Sequence, residues 1–428
     1  MMSESKPQNN FGPFLTMVFL FFIVGFLTTA NSQFLGPLKN AFLKNSGSFQ
    51  NTMATMITFS WFLAYPVFGG VGSWLVRNSG YKGTLIRGLW VMTGGVILTD
   101  ASAWTTLLWP SAMITLPGEA MVHFGFLIFL LGSFVIGGSV TILQVVINPY
   151  LVAIDVKGTQ PVQRLAIGGT LNSLGTTLAP YFVTGIVFSG LALNKITVDQ
   201  IIIPFIALAA VLVIVMIIVH RLRLPNLDKT VNKDGERLER SIWSFRHLAL
   251  GVVAISFYVG SEVCVGSNIN LYVLDDFSGS TTTAMLMATL YWGGLMVGRL
   301  IGSSLRKITP RTQLAVTTTA ASILVLTAML TNQPWALVAV GLFHSIMWGC
   351  IYTLSVAHLG KYTVKASGVF MIGVVGGAVL PLLQGMFADA LGNWRWSWSL
   401  VLCGELVMLA YALVGCHIRN NDIIDKDN

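Results

Sequence analysis

Charged residues are scarce in this chain of 428 residues, where Asp, Glu, Lys and Arg together make up only 10%. An average soluble protein has about 25%. Hydrophobic residues account for 54%, and they fall in blocks of about 20 residues, the length that a helix needs to cross the hydrocarbon core of a bilayer. The composition therefore excludes a soluble domain and predicts a polytopic, all-α membrane protein.

Residues that carry catalysis or bind metals are equally few. The sequence has no HExxH or GxSxG motif, no Cys/His cluster, and no GxxxxGK[ST] motif that would hold a nucleotide. The four cysteines have no paired spacing, and all lie inside predicted spans: Cys264, Cys350, Cys403 and Cys416. We therefore expect no enzyme activity, no disulfide, no metal site and no cofactor, apart from a coupling ion such as H⁺ or Na⁺.

The apolar blocks are separated by charged residues or by Gly, Pro and Asn. We predict twelve spans, near residues 11–35, 52–76, 84–104, 119–154, 165–190, 200–222, 245–273, 281–305, 312–332, 334–358, 364–390 and 395–418. The one long polar segment, RLRLPNLDKTVNKDGERLERSIW, follows the sixth span. It predicts an N-terminal six-helix half (1–222), a cytoplasmic linker (223–244) and a C-terminal six-helix half with a short tail (245–428).

Lysine and arginine are distributed unevenly between the predicted loops. With a cytoplasmic N-terminus, only four basic residues lie outside: Lys39, Lys44, Lys195 and Arg395. This asymmetry is the positive-inside pattern, and it places both termini in the cytoplasm. The net charge of +8 therefore indicates topology and not nucleic-acid binding. With no cleavable signal in MMSESKPQNN, we expect a multi-pass monomer in the bilayer of the inner membrane.

Two loops at matching places in the two halves are similar to each other. GGVGSWLVRNSGYKG follows the second span and VGRLIGSSLRKITPR follows the eighth. Each pairs glycines at a helix end with basic residues, which indicates a repeated half. We predict a gate between the halves at Arg77, Lys82, Arg299 and Arg306. The alternative is that both are ordinary positively charged inside loops.

The stretch LQVVINPYLVAI carries polar residues inside an apolar run. Gln144 and Asn148 are four residues apart and share one helix face, and Pro149 follows them. A polar side chain in hydrocarbon needs a partner or a solvated cavity, and an amide both donates and accepts, as sugar hydroxyls do. The two amides therefore indicate either a sugar-binding face or a clamp between two helices beside a proline kink.

Four long stretches resemble one known family of transporters. These are LQVVINPYLVAI, RLAIGGTLNSLGTTLAPYF, YVGSEVCVGSNINLY and FHSIMWGCIYTLSVAHLGKYTVKASGVFMIGVVGGAVLPLLQG. They are similar to the fucose:proton symporter family of the major facilitator superfamily, and within it to the glucose/galactose transporter branch. The resemblance runs from about residue 12 to 415. It implies two six-helix halves that expose a central sugar site alternately to each side of the membrane.

The chain departs from this family where the family takes up its proton. Ser32 stands at the position of an Asp, and Gln144 matches a position that carries Gln or the proton-bearing Glu. Neither side chain titrates near neutral pH. We predict instead that Glu262, or His344 where relatives have Asn, couples an ion to transport. Each could also be a hydrogen-bonded structural residue, and we expect a neighbouring helix to satisfy Glu405.

The predicted pocket also differs from that of the relatives. Gly169 replaces a Gln, Asn268 and Asn270 replace apolar residues, and Trp348 precedes Gly349 where Phe-Pro is common. These changes favour a bulkier or differently decorated sugar, such as an amino or anhydro sugar. The predicted substrate-binding residues are Asn31, Gln33, Gln144, Asn148, Asn172, Glu262, Asn268, Asn270, His344, Trp348 and Gln384.

The sequence as a whole predicts a secondary transporter that moves a hexose or a modified hexose as a cation symporter. An uncoupled sugar facilitator is the first alternative. An exporter of other polar or amphiphilic solutes is the second, although the many amides in the spans argue against an apolar cavity. A sensor would need a soluble output domain, for which no loop is long enough.

Overall fold

A computed structural model describes residues 10–43, 46–115, 121–157, 159, 161–189, 191, 195–222, 224, 240–304, 308–359, 362, 366, 369–419 and 422. These residues are predominantly helical. Their only strands form a short antiparallel hairpin from Met113–Thr115 and Met121–His123. The predicted all-α architecture is therefore confirmed for the part of the chain that is described, while most of the predicted linker lies outside it.

The N-terminal half consists of six numbered helices. Phe11–Gln33 (α1) continues after Phe34 into the short Leu35–Phe42 (α2). The 3₁₀ turn Gly47–Phe49 leads into the long Gln50–Leu108 (α3), and the hairpin into Phe124–Ala153 (α4). The remaining elements are Pro161–Pro180 (α5), its π-helical extension Tyr181–Val187, the 3₁₀ turn Val198–Ile201 and Ile202–Arg221 (α6).

The C-terminal half consists of seven numbered helices. After the 3₁₀ turn Ile242–Ser244 they are Arg246–Asp276 (α7), Thr281–Ser304 (α8), Pro310–Thr331 (α9), Pro334–His344 (α10) and Met347–Val356 (α11). Then come Gly376–Leu391 (α12) after the 3₁₀ turn Met371–Val375, and Ser399–Ala410 (α13) between the 3₁₀ turn Arg395–Trp398 and the π-helical Tyr411–Gly415.

Ten membrane spans can be recognised among the described residues. Nine helices are long and apolar enough to cross a bilayer, and α10 with α11 makes a tenth if the pair, bent by 42°, is one broken span. The other two predicted spans, 84–104 and 165–190, are also mainly helical. Their glycine, serine and threonine residues dilute the apolar ones, so they do not qualify by composition. The count of twelve therefore stays a prediction.

The second and third predicted spans meet at a sharp break in the structure. Both lie in α3, which is interrupted only at Gly80, where φ is 66° and ψ is 177°. Positive φ favours glycine because it has no Cβ. The two predicted spans are therefore separate helices, and the break between them falls within the predicted loop.

The outer surface of the bundle is apolar. Ile203, Trp90 and Leu330 are 79%, 59% and 59% exposed, and similar side chains cover the other helices. Such a surface is unfavourable in water and suits contact with lipid tails. The polar side chains of the spans, by contrast, are largely buried between helices, so any solute path lies inside the bundle.

Candidate functional site

Five titratable side chains meet at mid-depth in the C-terminal half, and we call them the titratable network: Tyr258, Glu262, Tyr291, His344 and Glu405. Glu262 lies near the middle of α7, and Tyr291 lies near the middle of α8. Glu405 is central in the last span. Groups at this depth have no bulk water to satisfy them, so their partners must come from the protein or from a solvated cavity.

His344 is the centre of this network. Its Nε2 lies 2.7 Å from Oε1 of Glu405, and both side chains are completely buried. Its Nδ1 lies 2.8 Å from the hydroxyl of Tyr291. The histidine therefore uses both ring nitrogens, and a neighbouring helix does satisfy one oxygen of Glu405, as predicted.

The two tyrosines connect the histidine to α7. The Tyr258 hydroxyl lies 2.9 Å from Oε1 of Glu262 and 3.0 Å from the main-chain oxygen of His344. The Tyr291 hydroxyl lies 3.1 Å from the main-chain oxygen of Glu262. Glu262 itself is only partly buried. The network thus joins a fully buried acid, Glu405, to a more accessible one.

A break in the tenth predicted span makes room for these contacts. The helix stops at His344 and resumes at Met347, which frees main-chain carbonyls inside the bundle. Tyr258 faces the carbonyl of His344, and Nε of Arg299 donates to that of Ser345 at 3.4 Å. Broken helices with carbonyls bonded in this way are a common feature of solute sites in transporters.

Four buried amides of α1, α7 and α12 form two hydrogen-bonded pairs, Asn268 with Gln384 and Asn270 with Gln33, which we together call the amide cluster. Asn268 Nδ2 donates to Oε1 of Gln384 at 2.9 Å. Asn270 Nδ2 donates to Oε1 of Gln33 at 2.5 Å, and Gln33 Nε2 donates to the Gly266 oxygen at 3.1 Å. Gln33 therefore ties α1 of one half to α7 of the other.

Several polar atoms of the amide cluster have no partner. Among the described residues, buried atoms without a hydrogen bond include Nε2 of Gln384 and Oδ1 of both Asn268 and Asn270. The neighbouring Ser267 hydroxyl is also unpaired. An unsatisfied buried polar group costs about 1–3 kcal/mol, so a set of open donors and acceptors points to a polar ligand that fills it.

The predicted amides of the N-terminal half have different surroundings. Asn31 accepts from the Ser133 hydroxyl at 2.7 Å and donates to the Ile57 oxygen at 3.4 Å. Asn172 donates to the Phe21 oxygen at 2.9 Å. Both side chains therefore hold helices together in this structure, and their contact with a substrate stays a prediction.

Gln144 and Asn148 lie one turn apart on α4 and are both half-buried. Gln144 Nε2 is 3.5 Å from the Tyr65 hydroxyl, which is at the limit of a hydrogen bond. Within the described part of the chain the side chain of Asn148 has no hydrogen-bond partner. The helix continues past Pro149 to Ala153. The two amides are thus nearly free, as a binding face requires, but they do not join the amide cluster.

The remaining predicted binding residue, Trp348, packs on aromatic side chains. Its ring centroid lies 6.3 Å from that of Tyr258 and 5.9 Å from that of Phe370, both edge to face. It is only partly buried. Trp348 therefore supports the titratable network from one side and keeps part of its ring accessible.

Of the four predicted gate residues, the structure describes the side chains of Lys82 and Arg299, which have different partners. Lys82 donates to the oxygens of His220 and Leu222 at the C-terminal end of α6, at 2.6 and 2.8 Å, within its own half. Arg299 does reach the other half, because its Nη1 contacts the hydroxyl of Ser173 on α5. The side chain of Arg77 and the whole of Arg306 lie outside the described residues.

Most hydrogen bonds between the halves lie at the end of the bundle opposite to the two chain termini. Lys39 forms an ion pair with Asp275 at 2.6 Å. Asp389 accepts from the main-chain nitrogens of Asn51 and Thr52 at 3.1 and 2.7 Å. Together with the contacts of Gln33, they join the two halves at this end.

An apolar cavity lies inside the N-terminal half. Its lining includes Phe26, Phe34, Trp61 and Phe205, with Asn31 and Thr99 as polar residues. It offers few partners for hydroxyl groups.

The tyrosines of the titratable network were not singled out from the sequence, although the spacing of Tyr258 and Glu262 places them on one helix face. Nothing in the sequence connects Tyr291 to His344.

The chain is similar along most of its length to known transporters. It is 33% identical over 422 residues to the glucose/galactose transporter of Brucella abortus, covering 96% of each chain. It is 32% identical over 419 residues to a putative glucose/galactose transporter of Helicobacter pylori, covering 94% and 96%. Identity to the L-fucose-proton symporter of Escherichia coli is 24% over 414 residues, covering 89% and 88%. No family model matches the chain.

Solved structures show the same fold. The fucose:proton symporter FucP of E. coli superimposes with a TM-score of 0.64 at 20% identity, covering 95% of this chain and 99% of that one. The inward open xylose transporter XylE of E. coli gives 0.72 at 14% identity, covering 97% and 98%. The fold is therefore that of the major facilitator superfamily.

Proposed function

The chain belongs to the glucose/galactose transporter family of the major facilitator superfamily, and we propose that it carries a hexose, or a modified hexose such as an amino or anhydro sugar, together with a proton. It is a multi-pass inner-membrane sugar transporter and not an enzyme. The relatives' names supply the sugar class and the E. coli relative's name supplies the proton.

The proposed substrate class is inferred from the amide cluster. It offers unpaired donors and acceptors but no charged group, and a sugar hydroxyl both donates and accepts. A neutral polyhydroxy ligand can therefore fill Nε2 of Gln384 and Oδ1 of Asn268 without burying a charge. Gln144, Asn148 and Trp348 are partly accessible and would contact the same ligand from other sides. An amphiphile would leave the open amide atoms unsatisfied.

The contacts between the halves support alternating access. The end opposite to the termini is closed by Lys39 with Asp275 and by Asp389 with α3. We propose that both termini are cytoplasmic, that the chain has twelve spans in halves 1–222 and 245–428, and that it works as a monomer. The closed end then faces outward, and Arg299 belongs to the contacts that break or form on the inner side.

Coupling is proposed to reside in the C-terminal half. Neither Ser32 nor Gln144 titrates near neutral pH, whereas Glu262 and His344 lie at mid-depth in one network. The alternative function is an uncoupled facilitator, which the absence of an acid at positions 32 and 144 favours. The two differ in one observable: only a symporter accumulates sugar against its gradient when an ion gradient is imposed.

Purified protein in liposomes distinguishes these functions. Uptake of D-glucose, D-galactose, N-acetylglucosamine, an anhydro hexose and L-fucose is measured with an inward proton gradient, an inward sodium gradient or neither. We expect accumulation of one or more hexoses with the proton gradient alone. Equilibration without accumulation would support the facilitator, and accumulation driven only by sodium would contradict proton coupling.

A matched pair of variants tests the binding site. Gln384→Ala removes an amide of the amide cluster, whereas Gln333→Ala removes an exposed amide of the same half. We expect a higher KM for the transported sugar in the first variant only. Equal KM values in both variants would place the sugar elsewhere.

A further inference from the structure

The buried contact between Glu405 and His344 has no function yet in the proposed transport cycle. We propose that Glu405 and His344 hold the transported proton between them, and that the Tyr291 hydroxyl transmits its presence to α7. The inference rests on the proposed proton-coupled function and names the group that carries the proton. The hydrogen bonds of three atoms support it: His344 Nε2, His344 Nδ1 and the Tyr291 hydroxyl oxygen.

The hydrogen bonds around Tyr291 allow only two arrangements of protons. Its hydroxyl has one hydrogen but lies near two oxygen or nitrogen partners, the Glu262 main-chain oxygen at 3.1 Å and His344 Nδ1 at 2.8 Å. A main-chain oxygen can only accept. If the hydroxyl donates to Glu262, then His344 Nδ1 must carry a hydrogen and donate to the tyrosine oxygen.

The first arrangement requires one more proton between the histidine and Glu405. With Nδ1 protonated, the 2.7 Å contact from Nε2 to Oε1 is made either by an imidazolium and a carboxylate or by a neutral ring and a carboxylic acid. Both forms have the same number of protons and no net charge. We call this the loaded state, and every donor in the contacts among Tyr291, His344 and Glu405 then has an acceptor.

Removal of that proton changes the bond made by Tyr291. The remaining hydrogen of the neutral ring stays on Nε2, where it donates to the Glu405 carboxylate, and Nδ1 becomes an acceptor. The Tyr291 hydroxyl then donates to Nδ1 and no longer to the Glu262 oxygen. One proton leaves the pair, the Tyr291 hydrogen bond to Glu262 is replaced by one to His344 Nδ1, and α8 thereby loses this hydrogen bond to α7.

The groups facing the pair are consistent with a single shared proton. Tyr258 of α7 and Tyr291 of α8 interact with Glu405, and Glu262 of α7 interacts with His344. One step further out, Arg299 of α8 interacts with Tyr258 and Glu262, and Cys264 of α7 interacts with Tyr291. A net-neutral loaded pair avoids an uncompensated charge at full burial, which would be costly. Oε2 of Glu405 and the Ser261 hydroxyl have no partner among the described residues, and Ser261 lies against Gly404, the residue before the acid.

The consequence for transport follows from the position of α7. The helix that gains or loses the Tyr291 bond also carries Asn268 and Asn270 of the amide cluster. Asn270 in turn contacts Gln33 of the other half. Proton loading therefore reaches both the sugar site and the closed end of the passage through one helix, which is what a coupled transporter requires.

Infrared difference spectroscopy tests the pair without any sugar. Full-length protein in lipid nanodiscs is titrated over the neutral pH range, and the carboxylic-acid and imidazole bands are followed. We expect one coupled transition that is lost in Glu405→Gln and in His344→Gln. Tyr291→Phe removes only a hydroxyl, and we expect it to move the midpoint of this transition. A transition that persists in Glu405→Gln would overturn the proposal.

Two buried residues of the same half serve as controls. Tyr411 bonds Ser355 and the His247 oxygen, and His247 bonds the Ala357 oxygen, away from Glu405. We expect Tyr411→Phe and His247→Gln to titrate as the wild type. If Tyr411→Phe shifts the midpoint as much as Tyr291→Phe, the transmission through Tyr291 is wrong.

Transport in liposomes supplies the second readout. With an inward proton gradient, we expect Tyr291→Phe to lower the accumulation of D-glucose or D-galactose by about two- to tenfold, and Glu405→Gln to abolish it. Full accumulation by Glu405→Gln would contradict the proposal. A wild type that titrates as expected but accumulates no sugar of the panel supports the proton pair and contradicts the proposed substrate class.

Discussion

The two halves of the bundle use buried polar residues differently. In the N-terminal half, the side-chain amides of Asn31 and Asn172 form hydrogen bonds with carbonyls and hydroxyls of neighbouring helices. In the C-terminal half, Asn268, Asn270 and Gln384 keep open atoms, and a histidine and two acids lie at mid-depth. Asn31 and Asn172 therefore join helices within the first half, whereas the second half holds the amide cluster and the titratable network to which we attribute binding and coupling.

The largest effect is expected when an acidic side chain is introduced into the N-terminal half. Ser32 is 4% exposed and its hydroxyl bonds only the Thr28 oxygen, at 3.4 Å. We expect Ser32→Asp to destabilise the protein by about 3 kcal/mol and to lower the yield of folded protein, since no cationic side chain of the described residues contacts Ser32. Thermal denaturation in detergent measures this, with Ser32→Ala as control. A stable variant with enhanced proton coupling would show that both halves can carry the proton.

The next largest effect is expected for the open amide atoms. Asn268→Ala removes the partner of Gln384 and one unpaired oxygen, and we expect kcat/KM for sugar uptake to fall about 10- to 100-fold. Loss of one or two hydrogen bonds to a buried ligand has this magnitude. Uptake kinetics in liposomes measure it, and Asn31→Ala in the other half is the comparison. A larger loss in Asn31→Ala would reverse the assignment of the two halves.

A clamp residue should affect stability more than transport. Asn172 Nδ2 bonds the Phe21 oxygen, and its side chain contacts the position where Gly25 would carry a Cβ. We expect Asn172→Ala to lower the free energy of unfolding by about 1–2 kcal/mol while KM for the sugar stays within about twofold. A rise in KM without loss of thermal stability would identify Asn172 as a binding residue.

The smallest effect is expected at the closed end. Lys39 and Asp275 form an ion pair whose side chains are 11% and 30% exposed, and such pairs contribute about 0.2–1 kcal/mol. We expect Lys39→Gln to shift the conformational equilibrium about two- to fivefold toward opening at this end. Spin-label distances between α2 and α12 report the populations. Lys195→Gln, an exposed lysine at the same predicted outer face, should leave them unchanged.

Much of the fold follows from local sequence properties. Apolar blocks long enough to span a bilayer predict the helices, and the described helices cover each predicted segment in whole or in part. The positions at which the spans begin, end or break depend less on the local sequence. The break between the second and third spans falls at Gly80. The tenth span breaks after His344, where side chains of α7 and α8 bond the main-chain carbonyls of His344 and Ser345.

The candidate site was predictable by residue type but not by partner. The family resemblance is confirmed by the relatives that the chain matches, and it directed attention to His344, Asn268 and Gln384. Whether an amide is a clamp or a ligand depends on which carbonyl lies opposite it, as Asn172 and Gln384 show. That information resides in helix packing, where the contacting residues are far apart along the chain.

What the sequence alone determined is the membrane environment, the two-half transporter architecture and the absence of an acid at positions 32 and 144. These properties depend on composition, on run length and on single residues within recognisable motifs. Only the tertiary structure decided that His344 joins Glu405 to Tyr291 and that Gln33 meets Asn270 across the halves. Helices separated by more than 60 residues and by more than 230 residues supply these partners. A hydrogen bond is defined by distance and direction in space, which residue spacing along separate helices does not encode.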